Sequence, residues 1–411
     1  MHDVAIIGAG PGGSAAAHYL AGSGLKVLLL DRADFPRDKI CGDGLTPRAV
    51  AVLQEMGLAD DLERAGRIIR HFEVFAPGGA STRSPIAPSG GLPDRAMVVH
   101  RLLLDDVILR SAMKSGASFL PGAKVTAIKA QAADPAFVEI SLDRAGKSER
   151  LNARMAVIAT GANPRLLLQS GILSRPPRCM AASRAYFQGI PDAGDVWSLR
   201  FDQVCLPGYG WIFPTGDGMA NIGTGRFRGG DGSTAKSFER FVASPPLREI
   251  LSQAEQSDPV KGWPLRDDFL SSPTFADRVL LVGEAAGLVN PLTGEGIDYA
   301  LESGRLAAQH LRDMFQRGDF SPARHEAYDV ALRQRFQSLF EFCFLLRRAA
   351  LHPFLLNTLV SLANRRNDLR TRLMNIMLGD APVPGRLSPA LVPKIFKTLA
   401  FAPASSRAMR G

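Results

Sequence analysis

The sequence predicts an α/β protein: a Rossmann-type dinucleotide-binding domain assembled from separated segments, an inserted antiparallel-sheet substrate domain, and a helical C-terminal extension. Three observations predict it. An apolar strand pattern at 4–7 leads into Gly8-Ala9-Gly10-Pro11-Gly12-Gly13 and then a small-residue helix. A second buried-strand pattern at 278–282 returns far along the chain, before Gly283-Glu284-Ala285-Ala286-Gly287. Between them, residues 181–225 are strand-like and rich in glycine and aromatics.

At 411 residues the chain is too long for one ordinary core. With 46% hydrophobic and 22% charged residues, most of it is expected to be globular rather than disordered. Cys41, Cys179, Cys205 and Cys343 lie far apart, with no Cys/His cluster, so neither a metal site nor a disulfide scaffold is expected. The opening residues show no basic n-region before the first strand, so no signal peptide is expected and a cytoplasmic location fits.

The first unit is β-α-β, with a helix over 14–23 and a strand over 26–31. Gly8 permits a tight turn, Gly10 lets a pyrophosphate approach the backbone, and Gly13 lets helix and strand pack closely. The phosphates then sit at the positive end of the helix. Asp31 closes the second strand, where a carboxylate accepts ribose hydroxyls. Helical spacing recurs at 49–56 and 101–115, and strand patterns at 72–76, 96–100, 124–129, 138–143 and 155–159. The expected division is 1–75, 101–165 and 277–322 for the dinucleotide domain. Residues 76–100 and 166–276 then form the substrate domain, and 323–411 a helical basic extension.

A nicotinamide cofactor could use the first turn equally well; the distal segment favours a flavin. Gly283-Glu284 and then Pro291-Leu292-Thr293-Gly294-Glu295-Gly296-Ile297 precede a long helix pattern at 295–315. Free amides at that helix start suit the anionic N1/O2 edge of a flavin. Arg101 opens a helix, where its charge opposes the dipole, so an anion such as the cofactor is expected beside it. His100 is expected simply to pack. Tyr209, Trp211 and Phe213 alternate at period two and share one strand face.

The order GAGPGG, Asp31, Arg101, Gly283-Glu284 and PLTGEGI resembles the flavoprotein group of para-hydroxybenzoate hydroxylase. Within that group Lys39-Ile40-Cys41-Gly42-Asp43-Gly44-Leu45-Thr46-Pro47-Arg48 and Tyr209-Gly210-Trp211-Ile212-Phe213-Pro214 are similar to the geranylgeranyl reductases, including bacterial menaquinone reductases. The resemblance covers about residues 3 to 315 and implies bound FAD. It implies cofactor contacts from Gly8, Gly10, Gly13, Asp31, Arg32, Cys41, Gly42, Arg101, Val125, Glu284, Pro291, Gly294, Gly296 and Ile297. It also implies Cys41 as a catalytic position against the isoalloxazine, and Tyr209, Trp211 and Phe213 as the prenyl pocket. The implied reaction saturates C=C bonds of a polyisoprenoid: a menaquinone side chain, a geranylgeranyl diphosphate or a prenyl glycerolipid. An external reductant, NAD(P)H or a reduced electron carrier, is then needed. The chain departs from the family pattern at Glu284, usually Asp; at Gly161-Ala162-Asn163-Pro164; and at Leu206.

An FAD-dependent hydroxylase of the same fold is the alternative, and a non-catalytic flavin or lipid binder a second. A halogenase would carry WxWxIP, which Tyr209 and Phe213 do not supply. From Arg333 onward thirteen Lys/Arg stand against Glu341, Asp368 and Asp380. Apolar runs at 336–346 and 351–363, broken by arginines, fall short of the roughly 18–20 residues that span a bilayer. Peripheral contact with the inner membrane face through a tail outside the flavin domain is therefore expected, rather than nucleic acid.

Overall fold

The 411-residue fold is that of a computed structural model, which describes residues 1–379 except 89, 133–134, 191–193, 228–232 and 351, and only the backbone of 349–350. One eight-stranded sheet runs Phe275–Ala276, Val279–Leu281, Lys147–Ile158, His2–Ile7, Val27–Leu30, Ser118–Leu120, with a hairpin of Lys124–Gln131 and Phe137–Arg144 on Lys147–Ile158. Its central pairs are parallel. Val4, Leu29, Val157 and Leu280 are fully buried, as expected of parallel strands covered on both faces.

The second eight-stranded sheet contains Glu255–Gln256, Cys179–Gln188, Met219–Arg226, Gly208–Gly216, Val196–Arg200, His71–Phe75 and Ser81–Pro85, with Lys261–Arg266 paired to Cys179–Gln188. It is antiparallel except where Val196–Arg200 runs parallel to His71–Phe75. That junction exists because the chain enters this sheet twice, from distant segments. Gly44–Leu45, Arg67–Ile69 and Ala96–Val98 form a small third sheet.

The helix Pro11–Ala21 starts with proline at its first turn and packs against Ile297–Arg317. The small residues of that contact are dictated by closeness: a Cβ on Gly304 would lie 2.4 Å from the Gly12 carbonyl oxygen.

The C-terminal helices Pro322–Ala350, Pro353–Arg365 and Asn367–Met377 are part of the core rather than a peripheral tail. Tyr328, Phe336, Phe340 and Cys343 are fully buried in the cluster that also holds the parallel sheet. Leu356, Val360, Met374 and Leu378 share a second cluster with Trp197, Tyr209 and Trp211. Several of the basic residues meet acids within the fold: Arg333 with Asp329, Arg335 with Glu302, Arg347 with Asp267 and Arg366 with Asp368. Arg348 and Arg365 are exposed. Leu351, Asp380, Arg386, Lys394, Lys397, Arg407 and Arg410 lie outside the described residues.

Candidate flavin and substrate site

A cavity of about 790 Å³ draws its walls from both large sheets. Gly8, Gly10, Asp31, Arg32, Val125, Glu284, Gly294, Gly296 and Ile297 line it together with Cys41, Gly42 and Arg101. Tyr209, Trp211 and Phe213 line the same space. Gly13 and Pro291 stand behind the wall. A Cβ on Gly13 would lie 1.9 Å from the Gly8 carbonyl oxygen, so its task is packing. Pro291 turns its carbonyl to Arg347.

The glycines of the first turn separate by what confines them. Gly8 has φ of 106°, and a Cβ there would lie 2.3 Å from the Ala159 oxygen. Gly10 is different: nothing but Arg37 Nη2, at 3.6 Å, comes near its Cβ position. Protein packing does not demand glycine there, but a pyrophosphate approaching the backbone would. The room left at Gly10 fits FAD. Asp31 Oδ2 accepts the Ala9 N–H at 2.8 Å and Oδ1 the Ala33 N–H at 2.9 Å. The carboxylate thus braces the turn and keeps lone pairs for ribose hydroxyls.

Arg101 does have an anion, but the chain supplies it. Its guanidinium grips Asp105, one turn on, with two bonds of 2.7 Å, and Arg37 joins the same carboxylate at 2.9 Å. The cofactor is not needed to explain that charge, although Arg101 borders its cavity. Glu284 Oε1 accepts the Arg266 N–H at 3.0 Å, and Oε2 stands 3.7 Å from Lys39 Nζ. Burial lowers the Lys39 pKa, against the raising charge of Glu284. The sequence predicts free amides at the start of the helix Ile297–Arg317, but the Ile297 N–H already donates to Glu295 Oε1 at 2.8 Å.

Burial pushes the Cys41 thiol up, while the Arg101 charge beside it pulls the other way. The segment around Cys41 is fastened by residues that sequence reasoning missed. Asn221, fully buried, donates to the Cys41 carbonyl at 2.8 Å and to Asp43 Oδ2 at 2.9 Å, and accepts the Trp211 indole N–H at 3.0 Å. The Tyr186 hydroxyl also donates to Asp43 Oδ2. Asp43 is fully buried with φ of 64°, and its pKa is raised by burial against those hydrogen bonds. His100 packs, as expected, its ring 4.8 Å from that of Tyr186.

Tyr209, Trp211 and Phe213 form an aromatic ladder, with Trp211 stacked 6.0 Å from Phe213 and Trp197 4.7 Å from Phe213. Trp197, from the neighbouring strand, is a wall residue the sequence did not announce. Among the described residues no His/Cys/Asp/Glu group could hold a metal ion.

A glycine cradle opening into a space that a second sheet walls with aromatics is the arrangement of an FAD-dependent oxidoreductase. Residues 1–174 match the family described as FAD binding domain. The chain belongs more particularly to the geranylgeranyl reductase family of these flavoproteins. It is 37% identical to a menaquinone reductase of Mycobacterium tuberculosis over 326 residues, 75% of this chain and 76% of that protein. It is 28% identical to digeranylgeranylglycerophospholipid reductase 1 of Methanopyrus kandleri, over 82% of this chain and 88% of the relative. Among solved structures, a geranylgeranyl bacteriochlorophyll reductase-like protein of Thermoplasma acidophilum has a TM-score of 0.78 at 21% identity, covering 97% of this chain and 96% of its own. The flavin-dependent brominase Bmp2 reaches 0.76 at 20% identity, over 96% and 98%, so the fold alone does not separate these chemistries.

Proposed function

We propose that this protein saturates carbon–carbon double bonds of a polyisoprenoid chain, a quinone side chain before a diphosphate or a glycerolipid. One observation carries the reading: the aromatic ladder 209–213 and the room at Gly10 belong to one cavity. FAD, when bound, supplies the hydride chemistry, and an external donor such as NAD(P)H or a reduced carrier must restore it. Tyr209, Trp211 and Phe213 would hold an apolar chain and keep water from the reacting carbons. Asn221 fixes that ladder relative to Cys41, which would place a double bond against the flavin. The relatives named as menaquinone and digeranylgeranylglycerophospholipid reductases support the same chemistry. The test is anaerobic incubation of the FAD-loaded protein with polyprenyl menaquinone and a chemical reductant, followed by mass spectrometry. Gain of two hydrogens per unit is expected; gain of one oxygen in air would establish a hydroxylase, and no change a binder.

Peripheral contact with the inner membrane face from the cytoplasm fits a substrate insoluble in water. No helix among the described residues is long and apolar enough to cross a membrane. Phe354 is 70% exposed at the start of Pro353–Arg365, a helix that ends at the exposed Arg365. Such a pairing suits acyl chains below and lipid phosphates at the surface. The protein should pellet with anionic liposomes at low salt and be partly released by high salt, and Phe354→Asp should weaken pelleting. Equal recovery in the supernatant with and without liposomes would end this reading.

A further inference from the structure

We propose that Glu295 is the acid that gives the proton to the second alkene carbon, a role that rests on the reduction proposed above. Glu295 stands in the cavity wall, at the end of the loop that leads from Asn290 into the helix Ile297–Arg317. The loop is held firmly. Asn290 N–H donates to the Glu295 carbonyl at 2.7 Å, and Asn290 Oδ1 accepts the Leu292 N–H at 2.9 Å. The Tyr209 hydroxyl donates to the Thr293 carbonyl, which ties the loop to the aromatic ladder.

The carboxyl group is held by backbone N–H groups at the helix start, and Oε1 accepts the Ile297 N–H at 2.8 Å. Glu295 lines the same cavity as Cys41 and Tyr209, and its charge raises the pKa of both the thiol and the hydroxyl.

Its neighbours keep it protonated. Burial first, and the charge of Asp298 second, push Glu295 up to about 8, against backbone N–H groups that favour the anion. Asp298 is fully buried and accepts the Tyr299 N–H at 2.7 Å and the Thr46 hydroxyl at 3.3 Å; burial first, and Glu302 with it, push it up to about 6 against the pull of Arg48, so it still gives up its proton before Glu295. Two carboxyl groups with separated environments divide into one that holds a proton and one that holds charge. Cys41 and Tyr209 line the same cavity, and burial raises both. A neutral cysteine or tyrosine is a weaker acid than a carboxyl group at about 8, so Glu295 releases its proton first.

The step balances as follows. Bound FAD, once reduced, would supply a hydride to one alkene carbon. The π electron pair takes the Glu295 proton at the other, and the O–H pair stays on the carboxylate. That carboxylate is left at a helix N-terminus, where negative charge is favoured. Water returns the proton, and the external donor returns the electrons.

Infrared titration of the oxidised, substrate-free holoprotein tests the proton directly. A protonated-carboxyl band should vanish with a midpoint near about 8. It should be absent in Glu295→Gln and titrate at lower pH in Asp298→Asn. Turnover of polyprenyl menaquinone in detergent, with dithionite as reductant, tests the role. Activity should fall as pH rises through the Glu295 pKa, because the acid form is needed. Glu295→Gln should lose roughly 100-fold or more while keeping FAD stoichiometry and its reduction by dithionite. Wild-type protein that leaves menaquinone unreduced defeats the proposed reaction and this role with it. Wild-type protein that reduces menaquinone, with Glu295→Gln equally fast or the carboxyl band missing, defeats the acid alone. If Glu295→Gln fails to bind FAD, Asp298→Asn decides: an alkaline limb that stays in place overturns the proposal.

Discussion

Arg347 meets Asp267 at 2.6 Å with side chains only 8% and 0% exposed, and the same guanidinium donates to the Pro291 carbonyl at 3.0 Å. One arginine of the C-terminal helix therefore anchors the loop that carries Glu295. Arg347→Met takes the counter-charge from a buried carboxylate, a loss of about 3–5 kcal/mol when one partner is removed. Denaturant unfolding should show it, with weaker FAD retention as the loop loosens.

Gly10→Val and Gly13→Val should fail differently. A side chain at 10 meets little protein and fills the cofactor's approach, so the variant should fold and lack FAD. A side chain at 13 would meet the Gly8 carbonyl 1.9 Å away, so that variant should lose the fold. Circular dichroism and bound-flavin absorbance together separate the two outcomes.

Deleting residues from Arg333 onward should give insoluble protein, not an FAD-loaded remainder. Phe336, Phe340 and Cys343 leave the main cluster with it. Losing one buried phenylalanine alone costs about 3–5 kcal/mol, a large share of the roughly 5–15 kcal/mol that holds a protein folded. Expression of a soluble yellow truncate would contradict this.

Cys41 should alkylate slowly at neutral pH, because burial raises its pKa and only the thiolate reacts. Its rate should rise only as pH climbs above the ordinary thiol range. The exposed Cys205 should be labelled first. Peptide mass spectrometry after iodoacetamide gives both rates, and faster labelling of Cys41 would show that the Arg101 charge outweighs burial.

Trp211→Phe keeps an aromatic ring but removes the N–H held by Asn221. Flavin content should remain while prenyl turnover falls several-fold, since the ladder loses its tie to the Cys41 segment. Unchanged turnover would make that bond ornamental to the reaction.

The sequence by itself determined what depends on neighbours along the chain. The first turn was legible because a φ of 106° and a close helix–strand approach select glycine locally, and the ladder because a strand alternates its faces. Even the partner of Arg101 was within reach, since Asp105 lies four residues on, the spacing of one helical turn. Tertiary structure alone decided the rest. Asn221 reaches the carbonyl of Cys41 across 180 residues, and no periodicity marks an asparagine for that task. The basic C-terminal stretch looked like a surface, but Arg335 and Arg347 meet acids carried by distant segments, and Phe336 and Phe340 complete the core. Glu295 reads as one letter of a glycine-rich motif. Its pKa rises only where folding sets it in the cavity wall near the charge of Asp298, because a pKa is set by the surrounding dielectric and charge, which the chain acquires only on folding.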